Sequence, residues 1–360
     1  MTHLARRSNA VVELMQVADE KCGEQWLKDA LQTALMLELA TIPPYACAAW
    51  SIKGARSTTD VHHTVQEVMF DEMSHFGLAG NLLSAIGGTP VLTDPEQLPT
   101  YPGPLPGGVN RGLTVHLSKL DREAAGLFAA IEKTDHPVVS AQEEGYSSIG
   151  AFYDKVQRVL SANRHLVGDK GYQLKWPLQT VHGKGNEIKP LRTWEEADEA
   201  LTIIREQGEG TSASPLNPYP LHAGEPAHYY AFLEICRGRK LENRTGKWQF
   251  SGAPVVIPPV YPMGRVPPGG WANAPGAVSR LPEAVAVLLD EFNACFSEML
   301  RAFEAAWRTP DEGRRLATLR GAVSAMTSMR ALARTLMRIP QAADPEATYG
   351  PEFRYTTRQP

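Results

Sequence analysis

Val68-Met69-Phe70-Asp71-Glu72-Met73-Ser74-His75-Phe76 puts two ionisable side chains into an otherwise apolar stripe. Wound as a helix from Asp60 to Ile86 at about 100° per residue, the segment brings Val61, Val65, Val68, Met69, Phe76, Ala79, Leu83 and Ile86 within roughly 60° of Glu72. A carboxylate at the centre of such a face is costly unless it is paired or bound to a metal. Glu-x-x-His also sets two metal-type ligands on adjacent turns of one face, the i, i+3 spacing of di-metal helix bundles.

The preceding helix repeats the anomaly. From Glu24, the residues Leu27, Leu31, Ala34 and Leu35 form a stripe, and Glu38 lies within roughly 40° of its centre. Thr41-Ile42-Pro43-Pro44-Tyr45 follows, and proline lacks a backbone N–H and crowds the carbonyl one turn back. The helix, expected to run to Trp50, should kink or break just beyond Glu38 and shape a cavity there. Structural pairing of Glu38 and Glu72 with a buried Arg or Lys is the alternative, but no basic residue shares either stripe.

Around these helices the chain reads as all-α. The Asp60 helix stops at Gly87-Gly88-Thr89-Pro90, a C-terminal signal. A loop rich in proline and glycine, residues 90 to 112, is long enough to cross a bundle or cover a site as a lid. A third helix is predicted from Leu113 to Lys133, with Glu132 at the edge of its apolar stripe, and a fourth from Ile149 to Leu160. The fifth opens on a capping box, Thr193-Trp194-Glu195-Glu196, and ends at Gly208-Glu209-Gly210. By spacing alone Glu206 and Glu209 are solvated acids. The sixth begins near Pro226 and turns His228 inward, where a core histidine is the ordinary role. Residues 251 to 275 read as an extended wrap. Two amphipathic helices follow, Pro282 to Trp307 and Asp311 to Met337, which complete the body or make a homodimer surface. The aromatic tail Tyr349–Tyr355 should dock. The expected organisation is a metal-binding bundle over residues 1–240 and a wrap with two packing helices over 241–360, parts of one body. No internal repeat is present.

Composition narrows the partners. The 360 residues are 43% hydrophobic and 21% charged with a net charge of −4, so nothing recommends nucleic acid or an anionic membrane. No apolar run approaches the roughly 20 residues that span a bilayer, and Met1–Arg7 lacks a signal-peptide core. Cys22, Cys47, Cys236 and Cys295 are scattered, without a Cys-x-x-Cys unit, which suits inert thiols in a reducing cytoplasm.

An inward Glu, a Glu-x-x-His, further acids and an inward His, carried by antiparallel helices, are the ferritin-like arrangement for two metal ions. Carboxylate and imidazole suit two irons, with manganese as the other option, better than copper.

Several runs resemble the ferritin-like domain of the iminophenyl-pyruvate dimer synthase family, found in violacein and rebeccamycin-type biosynthesis. They are Leu37-Glu38-Leu39-Ala40-Thr41-Ile42-Pro43-Pro44-Tyr45, Asp71-Glu72-Met73-Ser74-His75 with Asn81, and Ala85-Ile86-Gly87-Gly88-Thr89-Pro90. Tyr101-Pro102-Gly103, Ser148-Ile149-Gly150-Ala151-Phe152-Tyr153, Glu206-Gln207-Gly208-Glu209-Gly210, His228–Ile235 and Gly350-Pro351-Glu352-Phe353 also match. The likeness covers nearly the whole chain, which corresponds to the ferritin-like part of those longer proteins.

It implies a ferritin-like four-helix bundle with additional C-terminal helices and a metal set of Glu38, Glu72, His75 and His228, with Glu132, Glu206 and Glu209 competing for the remaining places. Three residues after Glu206 stands Glu209 rather than His, so the site is either asymmetric, with His228 supplied by the sixth helix, or mononuclear. The implied activity is an oxidoreductase or oxygenase using O2 as co-substrate on a small amino-acid-derived or aromatic metabolite, beside partner enzymes of a biosynthetic pathway. Tyr45 is the candidate for substrate contact or proton and electron relay, with a core tyrosine as its ordinary role. The rival readings are a metal-binding protein without organic substrate and a non-catalytic helical partner of an enzyme.

Overall fold

A computed structural model describes residues 9–54, 60–110, 112–133, 148–211, 214–219, 224–273 and 281–357. Its helices are α1 (Ala10–Gln16), α2 (Glu24–Ser51), α3 (Asp60–Ala85), α4 (Arg122–Ile131), α5 (Ile149–Ala162), α6 (Leu178–His182), α7 (Trp194–Glu209), α8 (His228–Arg237), α9 (Glu283–Ala306) and α10 (Glu312–Leu336). One small antiparallel hairpin, β1 (Glu242–Arg244) and β2 (Lys247–Gln249), is the extended exception to the helical pattern among the described residues.

The helices pair as α2 with α3, α4 with α8, α5 with α7, and α9 with α10. The first three pairs close a ring, because α2 also meets α4 and α5 while α3 meets α7 and α8. The α9–α10 pair lies outside it, with α10 against α2. Asn81 helps tie the layers together: its amide donates to Leu174 O (2.8 Å) and Lys189 O (2.9 Å) and accepts from Leu174 N (2.7 Å) and the Trp307 indole (3.1 Å). Gly80 lets that indole approach, since a Cβ there would lie 2.1 Å from the Trp307 ring. Among the described residues no helix is long and apolar enough to cross a membrane.

Two expectations are corrected. Pro43 and Pro44 do not break α2, which stays helical from Glu24 to Ser51. Pro44 cannot donate to the Ala40 carbonyl, but the Tyr101 hydroxyl does so at 2.7 Å, so the buried acceptor remains satisfied. The loop after α3 is pinned to the same helix by Gln32, whose amide exchanges two hydrogen bonds with the Val91 backbone (2.8 and 3.0 Å).

The helix predicted from Leu113 begins only at Arg122, where Asp121 caps it by accepting from Ala124 N at 2.8 Å. Leu117 and Leu120 are buried all the same, in an extended strip. Val115 bridges Gly103, Leu117 O accepts from Val266 N (3.1 Å), and Leu120 N donates to Ser51 Oγ (3.0 Å). Tertiary hydrogen bonds outcompete helical periodicity there. The capping box of α7 forms as read, and the tail docks with Phe353 stacked on Trp50 at 6.0 Å.

Candidate metal centre

Glu38 and Tyr45 on α2, Glu72 and His75 on α3, Glu132 at the C-cap of α4 and His228 at the start of α8 all meet inside the ring. Every one is buried. The ligand atoms form two triads, Glu38–Glu72–His75 and Glu72–Glu132–His228, each with its atoms within 4.8 Å of one another. Glu72 belongs to both. Its Oε1 lies 3.5 Å from His75 Nδ1 and 3.0 Å from His228 Nδ1, and its Oε2 accepts from the Thr41 hydroxyl at 2.7 Å. Glu38 Oε2 is 3.6 Å from His75 Nδ1, and Glu132 Oε2 is 3.9 Å from His228 Nδ1.

Each imidazole is oriented from behind. His75 Nε2 meets Gln207 Oε1 at 2.8 Å, and Asn186 Nδ2 donates to the same oxygen at 2.6 Å. His228 Nε2 meets Asp71 Oδ2 at 3.1 Å. With oxygen acceptors behind them, both rings hold their N–H at Nε2 and present Nδ1 to the carboxylates. Each phenol of a tyrosine pair holds one of the outer carboxylates: Tyr153 donates to Glu38 Oε1 and Tyr45 to Glu132 Oε1, both at 2.5 Å. The Tyr45 ring is wedged between Phe128 and Phe232, with centroids 4.8 and 5.0 Å away.

The electrostatics of this cluster suit a cation. Among the described residues no Lys or Arg pairs with Glu38, Glu72 or Glu132, whose ion-pair partners are the histidines. Burial followed by the Glu72 charge pushes the Glu132 carboxyl up to about 8. Burial also raises Glu38. Burial alone would lower His228, but Asp71 and Glu72 outweigh it and push it up to about 10, and His75 is raised in the same way by Glu38 and Glu72. Burial opposes ionisation of Glu72 too, yet the two imidazoles outweigh it and hold its carboxyl below the usual range. Without a metal, protons on the histidines balance the acids. His228 Nδ1 is buried and has no hydrogen-bond partner, because its approach to Glu72 is not aligned for one. Once its proton is displaced, Nδ1 would point a lone pair toward the carboxylates, a donor set that fits a divalent cation between them.

The Glu206–Gly210 run divides its work. Glu206 lies outside the cluster, ion-paired with Arg205 at 3.2 Å. Glu209 reaches only the edge: with the cluster it lines a small cavity, while its Oε1 accepts from Gly150 N at 2.9 Å at the start of α5. Gly150 permits this, since a Cβ there would lie 2.2 Å from the Glu209 carboxylate.

Asp71, Thr41, Tyr153, Gln207 and Asn186 were not singled out for the site from the sequence. Asp71 had a signal, since it precedes an inward Glu and is itself buried. Asn186 had none, being in an irregular stretch whose placement is purely tertiary.

A family model described as Ferritin-like matches residues 31–237, more than half of the chain. This protein belongs to the ferritin-like family. The crystal structure of a ferritin-like protein from Caulobacter vibrioides superposes with a TM-score of 0.53 at 21% identity, covering 92% of this chain and 97% of that one. That likeness is one of fold. A search of curated proteins finds no match. The ferritin-like family is thereby established, whereas membership of the iminophenyl-pyruvate dimer synthase group is not.

Proposed function

We propose that this chain is a di-iron oxidoreductase, with manganese as the alternative metal. The observation that carries the reading is Glu72, a buried carboxylate shared by two Glu/His triads and paired with no Lys or Arg among the described residues. Glu38 and His75 would hold one ion and Glu132 and His228 the other, with Glu72 common to both sets. A set of so few protein ligands would suit a metal site that does chemistry rather than a closed structural one. Bound iron supplies redox capacity toward O2. The protein's share is to keep the ligands dry, to fix both imidazole tautomers through Gln207 and Asp71, and to hold protons on Tyr45 and Tyr153 beside the carboxylates. Burial, followed by nearby acids, raises both phenols, so they stay protonated donors at neutral pH.

The substrate class, a small aromatic or amino-acid-derived metabolite of a specialised pathway, is supported by the motifs shared with the dimer-synthase domain. One observation favours the second reading, a metal-binding protein without organic substrate. The cavity at the cluster has room for about 20 Å³, on the order of one water.

Elemental analysis of protein purified without chelator, wild type against the Glu72→Ala/His75→Ala double variant, tests the centre. About two irons per chain, lost in the variant, are expected. Absence of metal after anaerobic Fe(II) loading of a folded chain sinks the proposal. O2 consumption that depends on an added aromatic amino acid separates oxidoreductase from storage.

A further inference from the structure

The opposite face of the α2–α3 pair borders a second, much larger space. Leu39 and Pro43 on α2 and Met73 on α3 line it, about 100° or more round their helices from Glu38, Glu72 and His75. Phe303 of α9 and Met326 of α10 close it from the other side. Its volume is about 290 Å³, predominantly apolar, at the lower end of small-molecule sites. It is distinct from the metal cavity, which shares none of its lining residues.

A cationic side chain stands at the rim of this chamber. Arg330 lines it from the exposed side of α10, next to the exposed Thr327, which places the mouth there. Among the described residues no carboxylate pairs with Arg330 or with its neighbour Arg334. Burial and the Arg334 charge both lower the Arg330 pKa, the signature of a cation lacking a counter-ion. An apolar chamber whose rim offers a guanidinium is complementary to an amphiphilic anion.

We propose that the chamber binds a medium-chain apolar carboxylate, with its tail among Met73, Phe303 and Met326 and its head group at Arg330. The site does not depend on the metal centre, so it stands or falls separately from the oxidoreductase reading.

Isothermal titration of the full chain with decanoate, decanol and decyltrimethylammonium tests it, on metal-free and metal-loaded protein alike. Decanoate should bind one per chain, about tenfold or more tighter than the other two. Arg330→Gln, a change at an exposed position, should bring decanoate down to the affinity of decanol. Val323→Trp, from a half-buried lining position, should block all three while the circular dichroism stays native. Equal binding of decanol and decanoate, or an Arg330→Gln variant with unchanged affinity, would overturn the assignment, as would no binding of any of the three.

Discussion

The two halves of the metal centre share Glu72 but differ behind their imidazoles. In one half His75 leans on the neutral amide of Gln207, and Tyr153 holds Glu38. In the other, His228 leans on the carboxylate of Asp71, and Tyr45 holds Glu132. A carboxylate behind a histidine raises its basicity as a ligand more than an amide does. The small cavity touches Glu38, His75 and Tyr153 in the first half but only Glu132 in the second, where neither His228 nor Tyr45 lines it. On the proposed reading, near-symmetric ligands would make unequal ions, held more firmly in the His228 half and more open to a small molecule in the His75 half.

The largest expected effect comes from removing what the halves share. Glu72→Ala should abolish binding of both ions in elemental analysis, whereas His75→Ala and His228→Ala should each lose one. If His75→Ala also lost both, the halves would be a single cooperative site and the comparison would fail.

Exchanging the groups behind the rings should come next. Asp71→Asn is expected to weaken one of the two ions by about 10–100-fold in a metal titration and spare the other. Gln207→Glu should strengthen the weaker ion and bring the two affinities together.

Acidity offers a third test. A metal must displace the protons that Glu132, His75 and His228 hold in the metal-free chain. Because the Glu132 carboxyl is pushed up to about 8 and the histidines are raised above their ordinary value, metal affinity should rise with pH from 6 through 8 and fall on acidification. The slope is about tenfold per pH unit for each proton displaced, and calorimetry in buffers of different ionisation heat counts those protons. Glu132→Gln should flatten the slope of the His228 half alone.

Smallest are the phenols. Tyr45→Phe and Tyr153→Phe should leave metal content intact and cost about 1–3 kcal/mol of metal-free stability each, seen as a lowered melting temperature, because a buried carboxylate loses its donor.

Much of this was legible in the residues themselves. Glu38 and Glu72 announced themselves by lying on apolar stripes, and His75 by its i, i+3 spacing from Glu72. That reading needs only helical periodicity and the cost of a buried charge. His228 showed its inward direction but not its purpose, since one inward histidine has no partner in its own sequence neighbourhood. Glu132 stood at a stripe edge, and only the turn ending α4 brings it to Tyr45. Glu206 and Glu209 could not be ranked from spacing. Their side chains diverge because Arg205 claims one and the start of α5 claims the other.

The proline pair shows the same boundary from the other side. Local chemistry predicted an interrupted helix, and a hydroxyl 61 residues away in sequence, from Tyr101, keeps it continuous. Local rules determined which segments are helices, which faces are apolar and which acids stand out upon them, because those depend on neighbours within a turn or two. Tertiary packing alone decided which carboxylate is shared, what stands behind each imidazole and where the two cavities lie, because these depend on side chains that meet only once the helices have paired.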